Sequence, residues 1–380
     1  MAVLSDAQRE AGWTIVKLGD ITTKIGSGST PRGGKSSYVD EGPMVIRSQN
    51  VLDNELDLSD VARVPEELTA KLKGVLVQKG DTLLNITGSG NTTIGRSALV
   101  HEDLGEAYVN QHVCIIRPDK SLVNDIFLQK SIFAFKDELL GLSYGSTRDA
   151  LTKGIIESFE IPLPPLEEQE RIAGILGSLD DKIEANTRLI QTVKDYMAAL
   201  YKAEAKNGKV LELTDIADFV NGRAFTKDAT GTGRVVIRIA ELNNGLGGST
   251  VYNDIKAKEE NTAYPGDVLM SWSGSLDTYV WHLPEAIINQ HIFKVIPKGN
   301  YPKWLVYHAC KSVIEDFQAI AVDKATTVGH IRRGDLKRDI SIPAREMPQM
   351  ENLWSLWMNL EQENLQLAET RDALIKRLIG

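Results

Sequence analysis

YVNQHVCIIRP (108–118) and IINQHIFKVIP (287–297) decide the architecture. The two stretches align without a gap. Each reads as an Asn-Gln-His corner followed by an apolar run closed by proline, the pattern of a buried strand. Working outward, KGDTLLNITGSG (79–90) matches PGDVLMSWSGSL (265–276): a Gly-Asp turn, an apolar strand and a Ser/Gly loop. MVIRSQNV (44–51) matches VVIRIAEL (235–242), and EIPLP (160–164) matches SIPAR (341–345). Four pairs in one order indicate an internal duplication rather than a chance likeness of strand–turn patterns.

Each copy is followed by a long helical pattern. Ile172, Leu176, Leu179, Ile183, Asn186, Ile190, Val193, Met197 and Leu200 step by four and three. Leu353, Trp357, Leu360, Asn364, Leu367, Arg371, Leu374 and Leu378 do the same at a constant offset, which also carries Pro162 onto Pro343. A period of 3.5 is the seam of a coiled coil, narrower than the stripe of a helix that covers its own domain. Asn186, Asn364 and Arg371 on that seam would cost stability and fix register. Pro162, Pro164 and Pro165 place the first helix start near Leu166, with Glu167, Glu168 and Glu170 where the helix dipole favours them. From there to Ala203 is ~57 Å at 1.5 Å per residue. Gly174 and Gly177 either admit a close partner helix or loosen the first turns.

The expected fold class is α+β: two similar β-rich domains, 1–165 and 208–346, each followed by a long helix, 166–207 and 347–380, in a pseudo-two-fold repeat. One shorter helix is expected late in each domain, over 125–141 and 302–318. Cys114 in a strand and Cys310 on an apolar helix face read as core.

The chain has 380 residues, 42% apolar and 25% charged, which is globular composition. No apolar run reaches the ~18 residues of a membrane span, and the first residues carry no basic-then-apolar leader. Two distant cysteines make neither a disulfide framework nor a zinc site, so a reducing cytoplasm is the expected location. Net charge is −9, with 17 basic against 22 acidic groups over 1–166 and 17 of each over 209–346. Any nucleic-acid contact must therefore come from local clusters.

No catalytic constellation stands out. GSGSTPRGGKSS (26–37) has five residues between Gly28 and Gly34 where a phosphate-binding loop has four, and Pro31 lies inside it. Arg117-Pro118-Asp119-Lys120 reads as a turn after a strand. The six histidines show no metal spacing, and there is no Gly-x-Ser-x-Gly elbow. Polar content gathers instead in three loops per domain: SGSTPRGGK (27–35), NITGSGNTTIGR (85–96) and SYGSTRDALTK (143–153), then NGRAFTKD (221–228), SWSGSLDTYVW (271–281) and DKATTVGHIRR (323–333). Gly for backbone approach, hydroxyls and amides for hydrogen bonds, Arg and Lys for phosphates and base edges, and aromatics for stacking are the residues of DNA readout. The same residues fill ordinary turns; their recurrence at matching places in two repeats favours recognition.

Two β-rich domains, two long helices and the link PLPPLEEQERIAGIL (162–176) together resemble the specificity subunit of a type I restriction–modification system. WTIVKLGDITTKIGSGSTP (13–31) is similar to the opening of that family's first target-recognition domain, and TRDALIKRLIG (370–380) to the end of its second helix. IPAREMPQMENL (342–353) departs from a second PLPPLEEQ and leaves the entry of the second helix less defined. The resemblance implies antiparallel spacer helices and a non-catalytic subunit in which each domain reads half of a split double-stranded DNA site. It implies two methylation subunits, which bind S-adenosylmethionine, and motor–nuclease subunits, which use ATP and Mg. This chain would bind no cofactor or metal itself.

The expected DNA contacts in the first domain are Ser27, Ser29, Thr30, Arg32 and Lys35, then Ser89, Asn91 and Arg96, then Tyr144, Ser146, Thr147 and Arg148. In the second they are Arg223 and Lys227, then Trp272, Ser273, Ser275 and Tyr279, then Lys324, Thr326, Thr327, His330 and Arg332. Arg47 and Arg238, at equivalent positions, are either DNA contacts or structural ion pairs. Asn110-Gln111-His112 and Asn289-Gln290-His291 read as fold-holding corners ahead of DNA readers. The competing functions are a coiled-coil scaffold or inhibitor without sequence-specific DNA binding and, further off, a small-molecule enzyme.

Overall fold

The computed structural model describes residues 3–29, 37–88, 93–142, 150–323 and 329–380. Among the described residues the first domain has nine strands: β1 (Thr14–Lys17), β2 (Thr22–Ser27), β3 (Val39–Ile46), β4 (Ala62–Arg63), β5 (Thr82–Asn85), β6 (Ser97–Leu99), β7 (Ala107–Val109), β8 (Val113–Pro118) and β9 (Glu160–Leu163). They form an antiparallel sheet ordered β2-β8-β5-β6, a second sheet ordered β4-β3-β7 and a ribbon β1-β9. The central strand β8 shows why VCIIRP is nearly all apolar. Its side chains alternate between two faces, and both faces are covered. Cys114 and Ile116 enter a core shared with Phe127, Leu128 and Ile132 of the helix Asp125–Ala134. Val113 and Ile115 enter another, with Ile46, Ala107 and Val109 of the second sheet. Both cysteines are buried free thiols, and burial pushes each thiol pKa up to about 12.

The second domain repeats the plan with β10 (Lys209–Glu212), β11 (Ala217–Asn221), β12 (Arg234–Ile237), β13 (Val251–Asn253), β14 (Thr262–Ala263), β15 (Asp267–Ser271), β16 (Thr278–Trp281), β17 (Ala286–Ile288), β18 (Ile292–Pro297) and β19 (Asp339–Ile342). Its sheets are β11-β18-β15-β16, β13-β12-β17-β14 and β10-β19. Strand for strand this is the first domain's topology, including one parallel pair in each copy, β3 with β7 and β12 with β17. The phase of burial is also kept: Phe293 and Val295 face the helix-side core, and Ile292 faces the other. The added β14 has only a single bridge, Leu76 to Tyr108, as its counterpart.

The long helices span Leu166–Ala205 and Pro348–Leu378. Proline at the first helical position lacks only an N–H that would have no partner there, so MPQMENL does start the second helix. The chain divides into two compact units, and neither follows the four sequence blocks. The first unit takes residues 1–181 with 369–380, and the second takes 182–368. In the first, Ile172 and Leu176 share a core with Ile375 and Ile379. In the second, Ile190, Val193, Met197, Tyr201 and Ala205 share one with Met347, Met350, Trp354, Trp357 and Leu360. There the helices run antiparallel: Glu204 pairs with Arg345, Lys194 lies 4.9 Å over the Trp357 ring, and Asn186 meets Asn364.

The expected 4,3 seam holds in part. Leu353, Leu374 and Leu378 are only half-buried, as are Leu179, Ile183, Asn364 and Leu367. The neighbours Trp354, Ile375 and Ile379 take the deepest positions instead. Near its ends each helix also lies on a β-rich domain, so it needs the broader 3.6-residue stripe. Gly177 serves that contact, since a Cβ there would stand 3.2 Å from Ile126 Cδ1 of the helix Asp125–Ala134. Gly174 faces open space.

The polar seam residues are fully engaged. Asn186 donates from Nδ2 to Glu363 Oε2 and Asn364 Oδ1, both at 2.9 Å, and accepts from Lys182 Nζ at 3.0 Å. In the first unit Arg371 Nη1 lies 3.0 Å from Asp180 Oδ1, and Lys130 Nζ lies 2.6 Å from Asp180 Oδ2. All three side chains are at least 89% buried, their exposures being 11%, 11% and 3%. Burial lowers the Lys130 pKa, and Asp180 opposes that shift. Asp180→Ala leaves the buried Lys130 ammonium without its counter-ion and Arg371 with Asp372 alone, so the expected loss is ~3–5 kcal/mol by urea unfolding.

His308 lies in the second unit's core between Tyr201, stacked at 5.3 Å, and Tyr307, edge-on at 5.0 Å. Its Nε2 is buried without a hydrogen-bond partner among the described residues. Burial, with Lys311 adding, lowers its pKa from 6.5 to about 4. Between those values the unfolded chain binds a proton that the folded chain does not, so stability falls on acidification. The loss expected from this group is about 3 kcal/mol. Urea unfolding across that pH window should show a shallower dependence for His308→Phe than for the wild-type chain.

Candidate nucleic-acid interface

In each domain the opening and central loops are rooted beside the Asn-Gln-His corner, and the third is rooted on the central one. In the first domain Gly28 N donates to Asn110 O at 3.0 Å, which fastens the opening loop. Ile86 N donates to His112 O at 3.0 Å and Leu151 N to Ile86 O at 2.9 Å, and Thr87 bridges Ala150. The central and third loops are thereby rooted together. In the second domain Arg223 N donates to Ile288 O at 3.2 Å, Trp272 N to His291 O at 3.2 Å and Ile331 N to Trp272 O at 3.0 Å, and Ser273 bridges His330. The corner is pinned to the neighbouring sheet by Asn110 N on Ile46 O and by Asn289 N on Ile237 O. Glycine is required at the crossing. A Cβ on Gly28 would stand 1.7 Å from Val109 O, and one on Gly222 2.1 Å from Asn289 O.

Asn110 and Asn289 are buried, His112 and His291 half-buried, and Gln111 and Gln290 exposed. Around each corner, Ser27 and Ser29 in the first domain and Arg223, Lys227, Ser275, His330 and Arg332 in the second are exposed. Arg96 is half-buried behind the central loop. Trp272 is no open stacking platform. Its Nε1 donates to Asn221 Oδ1 at 2.8 Å and to Gln290 O at 3.1 Å, and its ring lies against His291 and Phe293. Ser273 is buried against His291, and Tyr279 donates its hydroxyl to Asn243 Oδ1 at 2.6 Å. Thr30, Arg32, Lys35, Ser89, Asn91, Tyr144, Ser146, Thr147, Arg148, Lys324, Thr326 and Thr327 lie outside the described residues.

Arg47 and Arg238 follow the ion-pair alternative. Arg238 lies 2.6 Å from the buried Glu241 carboxylate and donates to Ser249 O, and the Glu241 contact raises its pKa. Arg47 donates to Asp60 O at 2.7 Å and lies 5.5 Å over the Tyr38 ring. Arg117 is likewise structural, gripping the buried Asp81 with two bonds of 2.7 and 2.8 Å. Among the described residues no His, Cys, Asp and Glu cluster is arranged to hold a metal ion, and no helix is long and apolar enough to cross a membrane.

The model of the type I restriction modification DNA specificity domain matches this chain twice, over residues 10–195 and 206–352. The chain belongs to that family. It is 21% identical over 306 residues to the type I restriction enzyme EcoKI specificity subunit of Escherichia coli, covering 72% of this chain and 64% of that subunit. It is 28% identical over 198 residues to the HindI specificity subunit of Haemophilus influenzae, covering 50% of this chain and 40% of the relative. The chain thus spans less than two thirds of the length of each. Its fold is similar to that of the type I restriction–modification S subunit from M. genitalium, with a TM-score of 0.51 and 16% identity, covering 97% and 96% of the two chains.

Within this specificity-domain chain the PLPPLEEQ link is a mechanical joint. Gln169, 1% exposed, donates to Pro164 O at 2.9 Å and Leu122 O at 3.2 Å and accepts from Asn124 N at 2.9 Å. It ties the first long helix to its domain. In the second copy the equivalent position is Met350, fully buried in an apolar core, which is why the motif is absent there. Gly28→Ala and Gly222→Ala are expected to cost their domains ~1–3 kcal/mol. Gly26→Ala, which meets nothing within 4 Å, should be near neutral. Urea unfolding of the three variants checks the contrast.

Proposed function

We propose that this chain is the DNA-reading subunit of a type I restriction–modification assembly. Each domain reads one half of a bipartite duplex site, and the chain docks two methylation subunits and the motor–nuclease subunits. In this reading the chain binds and the partners catalyse. S-adenosylmethionine sits on the methylation subunits, and ATP with Mg on the motor. The observation that carries it is the duplication itself: one topology twice, each copy linking the roots of its three polar loops beside one Asn-Gln-His corner. A net charge of −9 is compatible with this, because partner subunits can supply much of the phosphate grip.

Methylated-base mapping of the host genome with and without the gene gives the site. Binding by the chain with its methylation partner is then measured on that duplex. Lengthening or shortening the spacer by two base pairs should weaken binding. Arg32→Ala, Arg148→Ala or Arg223→Ala should each cost ~1–3 kcal/mol, confined to one half-site where the arginine reads a base. Binding indifferent to spacer and to all three substitutions favours the coiled-coil scaffold instead.

A further inference from the structure

In each domain the exposed glutamine is held by the histidine that follows it. Gln111 Nε2 lies 3.1 Å from His112 Nε2, and Gln290 Nε2 3.2 Å from His291 Nε2. The far side of each imidazole meets a hydroxyl: His112 Nδ1 is 2.5 Å from Thr87 Oγ1, and His291 Nδ1 is 3.0 Å from Ser273 Oγ. An amide nitrogen only donates, so imidazole Nε2 accepts and the ring proton sits on Nδ1, given to the hydroxyl. This relay fixes the amide plane at an exposed position. One amide N–H is occupied by the imidazole. Among the described residues the second N–H and Oε1 are left side by side, a donor and an acceptor.

That pair matches one base edge in the major groove. Adenine presents N7 as acceptor and the N6 amine as donor, guanine presents two acceptors, and phosphate offers acceptors only. The relay stands in both copies, whereas the loops around it differ: NITGSGNTTIGR against SWSGSLDTYVW, and SYGSTRDALTK against DKATTVGHIRR. A contact kept in both readers is a contact to a base present in both half-sites. We infer that Gln111 and Gln290 each make a bidentate contact to one adenine, one per half-site, with His112 and His291 as positioning residues. The inference rests on the proposed function and deepens it by naming the base and the side chains.

The test uses the full chain assembled with its methylation subunit and the mapped duplex, with 7-deazaadenine placed at one adenine at a time. For the wild-type assembly, one adenine in each half-site should show a roughly 10- to 100-fold loss of affinity on that replacement. Gln111→Ala should weaken binding to the natural site by a similar factor and abolish the 7-deaza effect in one half-site only. Gln290→Ala should do the same in the other half. His112→Leu, with its fold checked by circular dichroism, should reduce the 7-deaza effect at that single adenine and nowhere else, which a general loosening of the domain would not do. Glutamine variants that bind like wild type, or that bind weakly while keeping every 7-deaza effect, overturn the inference while leaving the proposed function standing. A wild-type assembly that does not distinguish the mapped site from a scrambled duplex overturns both.

Discussion

Neither β-rich domain closes its hydrophobic core with its own residues. The first unit's core is finished by Ile375 and Ile379, fully buried residues from the far end of the chain. The second unit's core takes Ile190, Val193, Met197 and Tyr201 from the helix that leaves the first domain. Burying side chains of this size stabilises by ~1.5–3 kcal/mol each, and exposing either helix would forfeit several of them at once. The helices are therefore components of both cores, and their register is a condition of folding. Asn186 and Arg371 add direction to that condition. A slip of one turn would part Asn186 from Asn364 and Glu363 and leave Arg371 away from Asp180, each a buried polar group without its partner.

The same economy of parts governs the loop cluster. Fixing three loops independently would cost ordering entropy for each. Here the opening and central loops are fastened beside one backbone corner and the third is fastened to the central one, using main-chain bonds that any sequence can make. Among the described residues the side chains that hold the corner are the histidine and a hydroxyl from the residues following β5 or β15, joined in the first domain by Asn110, whose Oδ1 accepts from His112 N at 2.9 Å. The fold's requirements thus fall on positions that both copies share, and the loop residues beyond the roots are released from them.

The duplication was legible because buried strands and Asn-Gln-His corners leave little freedom in sequence. A strand covered on both faces is nearly all apolar, so VCIIRP and IFKVIP announce themselves, the one cation in each being paired with the aspartate of the Gly-Asp turn. Long helices were legible from period alone. Which residue sits deepest was not: Ile375 and Ile379 outrank Leu374 and Leu378 because the helix rests on a domain as well as on another helix, and a periodic pattern does not record the second neighbour. Arg47 and Arg238 matched between repeats for a structural reason, since each guanidinium binds a group within its own domain, the Asp60 carbonyl and the Glu241 carboxylate. Residue type marks Arg as a DNA reader and as an ion-pair former equally. Trp272 had the same ambiguity, and its indole N–H settles in favour of packing by bonding Asn221 and the Gln290 carbonyl.

Matching positions in a duplicated reader therefore carry two different kinds of information. Where the shared residue is buried and its polar atoms are all engaged inside the domain, as in Asp81 with Arg117 or Asp267 with Lys294 and Lys303, the match records the fold. Those pairs even differ in their cations, because any base of the right reach satisfies the buried carboxylate of the Gly-Asp turn. Gln111 and Gln290 do not fit that description. They are exposed, identical and, among the described residues, held at one edge only. The fold-holding cations vary between the copies, an arginine in one and two lysines in the other. An exposed amide kept in the same relay twice is held for what its free edge meets, and in two domains whose loops have diverged that must be something both encounter.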